Sequence, residues 1–555
     1  MDHWKKLIAF VFSFDYNKRE VSQEKEAVRM YPKERNDLGL SLLEKGKKNF
    51  LRIFFGRNAI LLFSLLIQAV LLLALFFWFE DQMPLVLGGG AVFTVLVLLI
   101  LVNSSMDPSA KITWLLIIYV LPIFGCFFYV WTQSEWGRRT LKALVDRSEA
   151  MSHHLVKQEP EILEALRQED PGVAGLSQYI ASCGSFPVYT NTEVTYFPLG
   201  EDKWAKMLEE LRKAEHFIYL EYFIVREGLM WGRILEILAQ KAKEGLDVRM
   251  MYDGTCELTT LPYDYPRRLE SLGIRCKMFS PIEPLISSHY NYRDHRKILV
   301  IDGQTAFTGG VNLADEYINQ EVRFGHWKDT AIMLKGDAVQ SFQLMFLQMW
   351  NIDEKYPDFP ETLVSPTPAS SGSTGYVIPY ADNPLDKHKL GEMVYIDILN
   401  RATQYVYIMT PYLILDGETE SAIKFAAQRG VDVRLILPGI PDKKIPYALA
   451  KTHYKALLAA GVKIYEYEPG FVHAKVFLSD QREAVVGTIN LDYRSLYHHF
   501  ECAAYLKDTG CLEDIRKDFI NTFMKCRKVT FQTCREEKLI VKLTGYLAKA
   551  IAPLL

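Results

Sequence analysis

Two eight-residue segments of this chain carry the same three polar residues at the same offsets. HRKILVID, residues 295–302, and HAKVFLSD, residues 473–480, each place His first, Lys third and Asp eighth. The agreement continues downstream, where Gly309 and Asn312 follow the first histidine at the distances at which Gly487 and Asn490 follow the second. One H-x-K-x4-D is a weak signal; two, each trailed by G-x-x-N, are a strong one. Paired His, Lys and Asn side chains meeting at one point would form a donor-rich pocket suited to the oxygens of a phosphate. Two imidazoles facing one phosphodiester allow an in-line displacement. A neutral ring attacks phosphorus and becomes a phosphohistidine, while a protonated ring gives its proton to the departing alkoxide and then, as a base, activates a second hydroxyl. This chemistry requires no cofactor and no metal, and the sequence offers no carboxylate cluster to hold one.

The candidate catalytic set is therefore His295, Lys297, Asp302, His473, Lys475 and Asp480. On a strand, His295 and Lys297 point to one side and Asp302 to the other, and the second motif repeats this. His and Lys are then the pair that shares a substrate, and the Asp anchors the turn that follows, helped in the first copy by Gly303. Gly310 and Thr488, small residues beside Asn312 and Asn490, would let backbone amides approach the phosphate. Asp329 in HWKD and Glu501 in HHFE lie 34 and 28 residues after their histidines. A carboxylate on the second ring nitrogen would fix each tautomer and raise basicity, although ordinary surface charge explains the same residues. The other ten histidines, His499 among them, read as ordinary core or surface residues.

An internal repeat supplies the elements that position these groups. EHFIYLEYF (215–223) parallels TQYVYIMTPYL (403–413), and both are apolar, aromatic runs typical of buried strands. Each is followed by a helical pattern stopping at Gly245 or Gly430, and then by GLDVRMMYD (245–253) or GVDVRLILP (430–438). LESLGIRCKMF (269–279) parallels LLAAGVKIYEY (457–467). The alternation predicts an α/β fold of two duplicated sandwich halves packed together, over 196–364 and 376–555, joined by the linker SPTPASSGSTG at 365–375.

The N-terminal part differs in kind. A basic segment, 1–58, precedes three uncharged apolar stretches at about 59–79, 85–102 and 112–130, read as a helical transmembrane module, and a helical connector follows over 131–195. Lys45, Lys47, Lys48, Arg52 and Arg57 before the first stretch favour the cytoplasmic side, as do Arg138, Arg139, Lys142 and Arg147 after the third. Three full crossings cannot satisfy both flanks, so either the halves face outward or one span is re-entrant or tilted. The net charge of −3 and the lack of a basic stripe exclude nucleic acid as the expected partner.

These residues resemble the phospholipase D superfamily and, within it, bacterial cardiolipin synthases. The resemblance rests on the two motifs within HRKILVIDGQTAFTGGVNLADEY (295–317), WKDTAI (327–332), HAKVFLSD and GTINLDYRSLYHHFE (487–501). DPSAKITWLLIIYVLPIFG (107–125) and the closing YLAKAIAPLL add to it. It implies transfer of a phosphatidyl group from one phosphatidylglycerol to a second in the bilayer of the cell membrane, releasing glycerol, with His295 favoured as nucleophile. The family's second motif often ends N-F-E, where this chain has His499-Phe500-Glu501. A hydrolysing phospholipase D and a transferase using another alcohol are the alternatives. A non-catalytic membrane scaffold would be expected to have lost one motif, and both are intact.

Overall fold

Runs rich in Val, Ile and Leu are buried on both faces and become the middle strands of two mixed sheets, each covered by helices. The computed structural model describes residues 83–133, 136–280, 292–363 and 373–554. The expected basic segment, the expected first span at 59–79 and most of the linker at 365–375 lie outside the described residues.

The first half contributes β1 (Thr192–Phe197), β2 (Phe217–Tyr222), β3 (Asp247–Asp253), β4 (Arg275–Phe279), β5 (Arg293–Asp294), β6 (Lys297–Ile301), β7 (Thr305–Gly309), β8 (His326–Lys328) and β9 (Ala331–Gly336). Seven of these form a sheet in the order β1-β9-β7-β6-β2-β3-β4. The second half contributes β10 (Tyr376–Asp382), β11 (Tyr405–Met409), β12 (Asp432–Pro438), β13 (Lys463–Tyr467), β14 (Gly470–Val472), β15 (Val476–Ser479), β16 (Glu483–Gly487), β17 (His499–Lys507) and β18 (Cys526–Lys528). Its order, β10-β17-β16-β15-β11-β12-β13-β18, repeats the first with one strand added at the edge. In both sheets the three strands after the motif strand are parallel to one another and the remaining pairs of the shared order are antiparallel. The motif strands β6 and β15 stand fourth in their orders, well inside the sheets.

The halves share a core and exchange strands. The helix Val339–Trp350 is buried along nearly its whole length, packing on β2, β6, β7 and β9 of one sheet and β10 of the other. Beyond it, β5 pairs in parallel with β17, and β14 pairs in parallel with β8. Each motif is thus preceded by a short strand that belongs to the opposite half.

The N-terminal helices differ from the expected spans. Residues 85–102 fall within a helix, Met83–Asn103. Residues 112–130, by contrast, are two helices, Pro108–Val120 and Pro122–Thr132. The break follows from Pro122, which has no N–H to donate and disfavours helical geometry at the residue before it. Leu121 accordingly takes φ −133° and ψ 74°. Gly125 keeps the second helix tight against the first, since a Cβ there would stand 2.9 Å from Ile118 Cα. Among the described residues no helix is long and apolar enough to cross a membrane.

Candidate active site

Each motif histidine lies where its segment leaves the opposite half and enters its own sheet. His295 sits between β5 and β6, and its N–H donates to Phe500 O at 2.9 Å. His473 sits between β14 and β15, and its N–H donates to Lys328 O at 2.7 Å. Backbone hydrogen bonds to the partner half therefore hold both imidazoles at the seam. The residues are 6% and 8% exposed, and Lys297 and Lys475 beside them are buried at 0% and 1%. Each lysine ammonium donates to the carbonyl of its own histidine.

The carboxylates are exchanged between halves. His295 Nδ1 lies 2.9 Å from both oxygens of Glu501, and His473 Nδ1 lies 2.7 Å from Asp329 Oδ2. The spacing along the chain assigns each carboxylate to the histidine of its own copy; the fold gives it to the other. The reason is the strand exchange, because β17 pairs with the segment before His295 and β8 with the segment before His473. An ionised carboxylate only accepts, so His295 Nδ1 carries the proton and its Nε2 is left with its lone pair, whereas His473 Nδ1 lies between Asp329 and the Lys475 Nζ, 2.9 Å away.

Burial pushes the His295 imidazole well below its ordinary value, opposed by the charge of Glu501. Burial, helped by Lys475, lowers His473 to about 4. Burial alone would raise the Glu501 carboxyl, but His295 and its hydrogen bond hold it well below the usual carboxylate range. Burial also brings Lys297 down to about 8 and Lys475 to about 7, against the pull of Glu501 and Asp329 respectively. The charge of Lys297 reaches His473 and Lys475, and that of Glu501 reaches Lys475. The two motifs thus share one electrostatic centre, with neutral rings and lysines poised near neutrality.

Other expected residues take different parts. Asp302 and Asp480 lie at the far ends of β6 and β15, away from the imidazoles. Asp302 accepts from the amides of Glu215, His216 and Phe217, and Asp480 from those of Thr403, Gln404 and Tyr405. Both occupy the left-handed region, at φ 53° and 50°, in tight turns. They tie the motif strand to the start of its neighbour, β2 or β11, and their carboxylates are fully engaged there. Gly310 and Thr488 do not present amides to a ligand, because these donate to Thr330 O and Cys502 O. Gly310 instead makes room for Asp329, whose Oδ1 would lie 2.0 Å from an added Cβ. The Thr488 hydroxyl donates to Glu501 and steadies it. Asn312 accepts from Ile224 N and donates to the Tyr317 hydroxyl; Asn490 donates to Ser495. Each amide keeps one further N–H.

The sequence reading missed the aromatic walls and one imidazole. Tyr317, Trp327 and Phe471 surround the His473 ring, with centroids 5.4, 5.5 and 5.9 Å away. Phe223 stands 4.8 Å and His499 5.3 Å from the His295 ring. His499 occupies, in HHFE, the place that Trp327 holds in HWKD, and this alignment was the available signal. His295, His499 and Glu501 bring potential metal-ligand atoms within 4.8 Å of one another, though both Glu501 oxygens are already used by His295 and Thr488.

The family described as "Cardiolipin synthase, PLD-like domain" matches residues 207–350 and 395–523, one stretch in each half. The chain is 31% identical over 506 residues to a cardiolipin synthase of Alkalihalophilus pseudofirmus, covering 90% of this chain and 99% of that protein. It is 32% identical over 505 residues to a cardiolipin synthase of Geobacillus kaustophilus, with coverage of 90% and 99%. An uncharacterized protein of Streptococcus mutans is 58% identical over 457 residues, covering 82% of this chain and 99% of its own length. Among solved structures, a phosphatidylserine synthase of Haemophilus influenzae shares the fold of the halves, with a TM-score of 0.54 at 15% identity over 69% of this chain and 98% of its own. Two interlocked copies of one α/β unit, with the motif histidines at their seam and relatives matched along nearly their whole length, place this chain in the cardiolipin synthase family of the phospholipase D superfamily.

Proposed function

We propose that the protein joins two phosphatidylglycerol molecules into cardiolipin and glycerol through a phosphohistidine. The carrying observation is the exchanged pairing, which gives two buried, neutral imidazoles, each fixed through Nδ1, at one seam. His295 Nε2 attacks the phosphorus of the first lipid, and the bond to its glycerol headgroup breaks. The departing oxygen takes a proton from His473, protonated once the anionic diester has entered and neutralised the local positive field. His473, now neutral, removes the proton of a headgroup hydroxyl of the second lipid. That oxygen attacks phosphorus and frees His295, so atoms and protons balance over the cycle. Lys297 and Lys475 stabilise the negative charge of the phosphoryl oxygens, and Asp302 and Asp480 hold the strands that carry the machinery.

A lipid substrate agrees with the surface. The helix Pro108–Val120 exposes Ile112, Leu115, Leu116 and Tyr119, and the C-terminal helix Leu539–Ala550 exposes Leu539, Leu543, Tyr546 and Leu547. The two regions are joined, because Thr113 Oγ1 donates to Ala550 O at 2.9 Å. Apolar area of this extent on a free surface marks a membrane or partner face. The protein is thus read as bound to the cell membrane through its N-terminal helices, with the C-terminal helix on the same face.

The test is direct. Purified protein in mixed micelles holding phosphatidylglycerol alone should form cardiolipin and equimolar glycerol, and His295→Ala or His473→Ala should abolish both products. Phosphatidic acid as the main product would identify a hydrolase, and full activity in either variant would remove the two-imidazole mechanism.

A further inference from the structure

His499 is buried, 7% exposed, and neither ring nitrogen has a hydrogen-bond partner. A buried polar group without a partner is costly and is rare in native proteins unless something else satisfies it. The ring stands 5.3 Å from that of His295 and 6.2 Å from Phe223, and Nδ1 lies 3.8 Å from Glu501 Oε1, beyond a hydrogen bond. Its position is not accidental packing. β17 begins at His499 and pairs it with Arg293, two residues before His295, so the backbone itself brings the imidazole to the reacting ring.

The other half holds an indole in the same place, and its buried Nε1–H likewise has no hydrogen-bond partner. Trp327 has the equivalent place beside His473, with ring centroids 5.5 Å apart and planes 45° apart, against 5.3 Å and 38° for His499 beside His295. An aromatic ring of similar placement would fill the space over His295. Where the indole can only donate, the chain puts beside His295 a ring that can both donate and accept, and neither of its nitrogens has a hydrogen bond within the protein.

We propose that His499 is a third imidazole of the reaction centre, which donates a hydrogen bond to a phosphoryl oxygen of the diester held against His295. The proposal rests on the lipid-transfer reading for the identity of that diester, but not for the presence of a phosphoryl group. It makes the two sides of the centre chemically unequal: His295 works beside a second imidazole, His473 beside an indole. His499 would then stabilise the crowded phosphorus as His295 attacks, and so contribute to kcat more than to KM.

The experiment uses the full-length protein and two readouts. His499→Phe keeps an aromatic ring and removes both nitrogens, whereas His499→Asn restores a donor. Binding of orthovanadate at fixed pH, measured by calorimetry, should weaken roughly ten-fold or more in the Phe variant, the loss expected for a charge-assisted hydrogen bond. It should recover at least in part in the Asn variant. Turnover of phosphatidylglycerol should fall in the Phe variant mainly through kcat, with the thermal midpoint close to that of the parent. Unchanged vanadate affinity in a folded His499→Phe protein would overturn the proposal. So would equal losses in the Phe and Asn variants, which would mean that the imidazole shape and not its donor matters. Vanadate binding needs no lipid chemistry, so failure of the transfer reading shows in the products made by the parent protein, and failure of the present inference shows in the binding.

Discussion

Burial penalises the ammonium form and brings Lys475 down to about 7 and Lys297 to about 8. A bound diester is an anion, and it favours that form. Protonation and diester binding therefore reinforce each other: affinity is greatest below pH 7 and is lost as the pH rises through 7 and 8, where binding must take up protons. Dimethyl phosphate, a monoanion throughout this range, should accordingly bind more weakly from pH 6.5 to 9, by up to about ten-fold per unit of pH for each lysine involved. Calorimetry in buffers of different ionisation enthalpy should show net proton uptake, and Lys475→Met should flatten the first part of the curve. A dissociation constant independent of pH would contradict this electrostatic picture. The residues concerned were legible without coordinates, since two copies of His and Lys at matched spacing leave little room for coincidence. Their lowered proton affinities were not, because these arise from burial by residues far away in the chain. His499 was hidden for a different reason: an unrepeated histidine is usually ordinary, and only its alignment with Trp327 and its departure from the family's N-F-E set it apart.

Short strands decide which carboxylate serves which histidine. β5 and β14 are two and three residues long, yet they carry the motif segments into the opposite half and so exchange Glu501 and Asp329. If His295 is the nucleophile, Glu501→Gln should slow only formation of the phosphoenzyme, so that little is trapped, whereas Asp329→Asn, which weakens His473 both as acid and as base, should slow formation and breakdown alike. Rapid-quench trapping with labelled lipid should separate the two, with turnover lowered about 10²-fold or more in each. Gly310→Ala should resemble Asp329→Asn, because its methyl group would displace that carboxylate. Phosphoenzyme formation at the parent rate in Glu501→Gln would refute the assignment. The strand–helix repeat was readable from periodicity, but the exchange was not: distance along a chain carries no record of which copy a strand edge will join. The third apolar stretch shows the opposite case. Its proline was plainly visible, and a reading by length and absence of charge passed over the break that Pro122 imposes.

Exposed apolar side chains lie on the helix Pro108–Val120 and on the C-terminal helix, which are joined where Thr113 donates to Ala550 O. The C-terminal helix lies against the helix Lys444–Ala459, where Gly545 permits an approach that a Cβ would block at 2.3 Å from Ala448 O. Ala548 packs there with Tyr493, which follows the Asn490 loop of the second motif. Replacing Leu543 and Leu547 together by Ser should therefore reduce flotation of the protein with phosphatidylglycerol vesicles, roughly ten-fold in partition, from the apolar area lost. The thermal midpoint should change little, since both side chains are more than half exposed. Undiminished flotation would show that this helix does not touch lipid. The exchange of carboxylates also reaches back in time. Neither copy holds a complete acid–base couple, so a half-length ancestor could have carried out this reaction only as a symmetric pair, each subunit completing its neighbour. Joining the two genes end to end made that association permanent and freed each copy to diverge, so that an imidazole could settle where its twin keeps an indole.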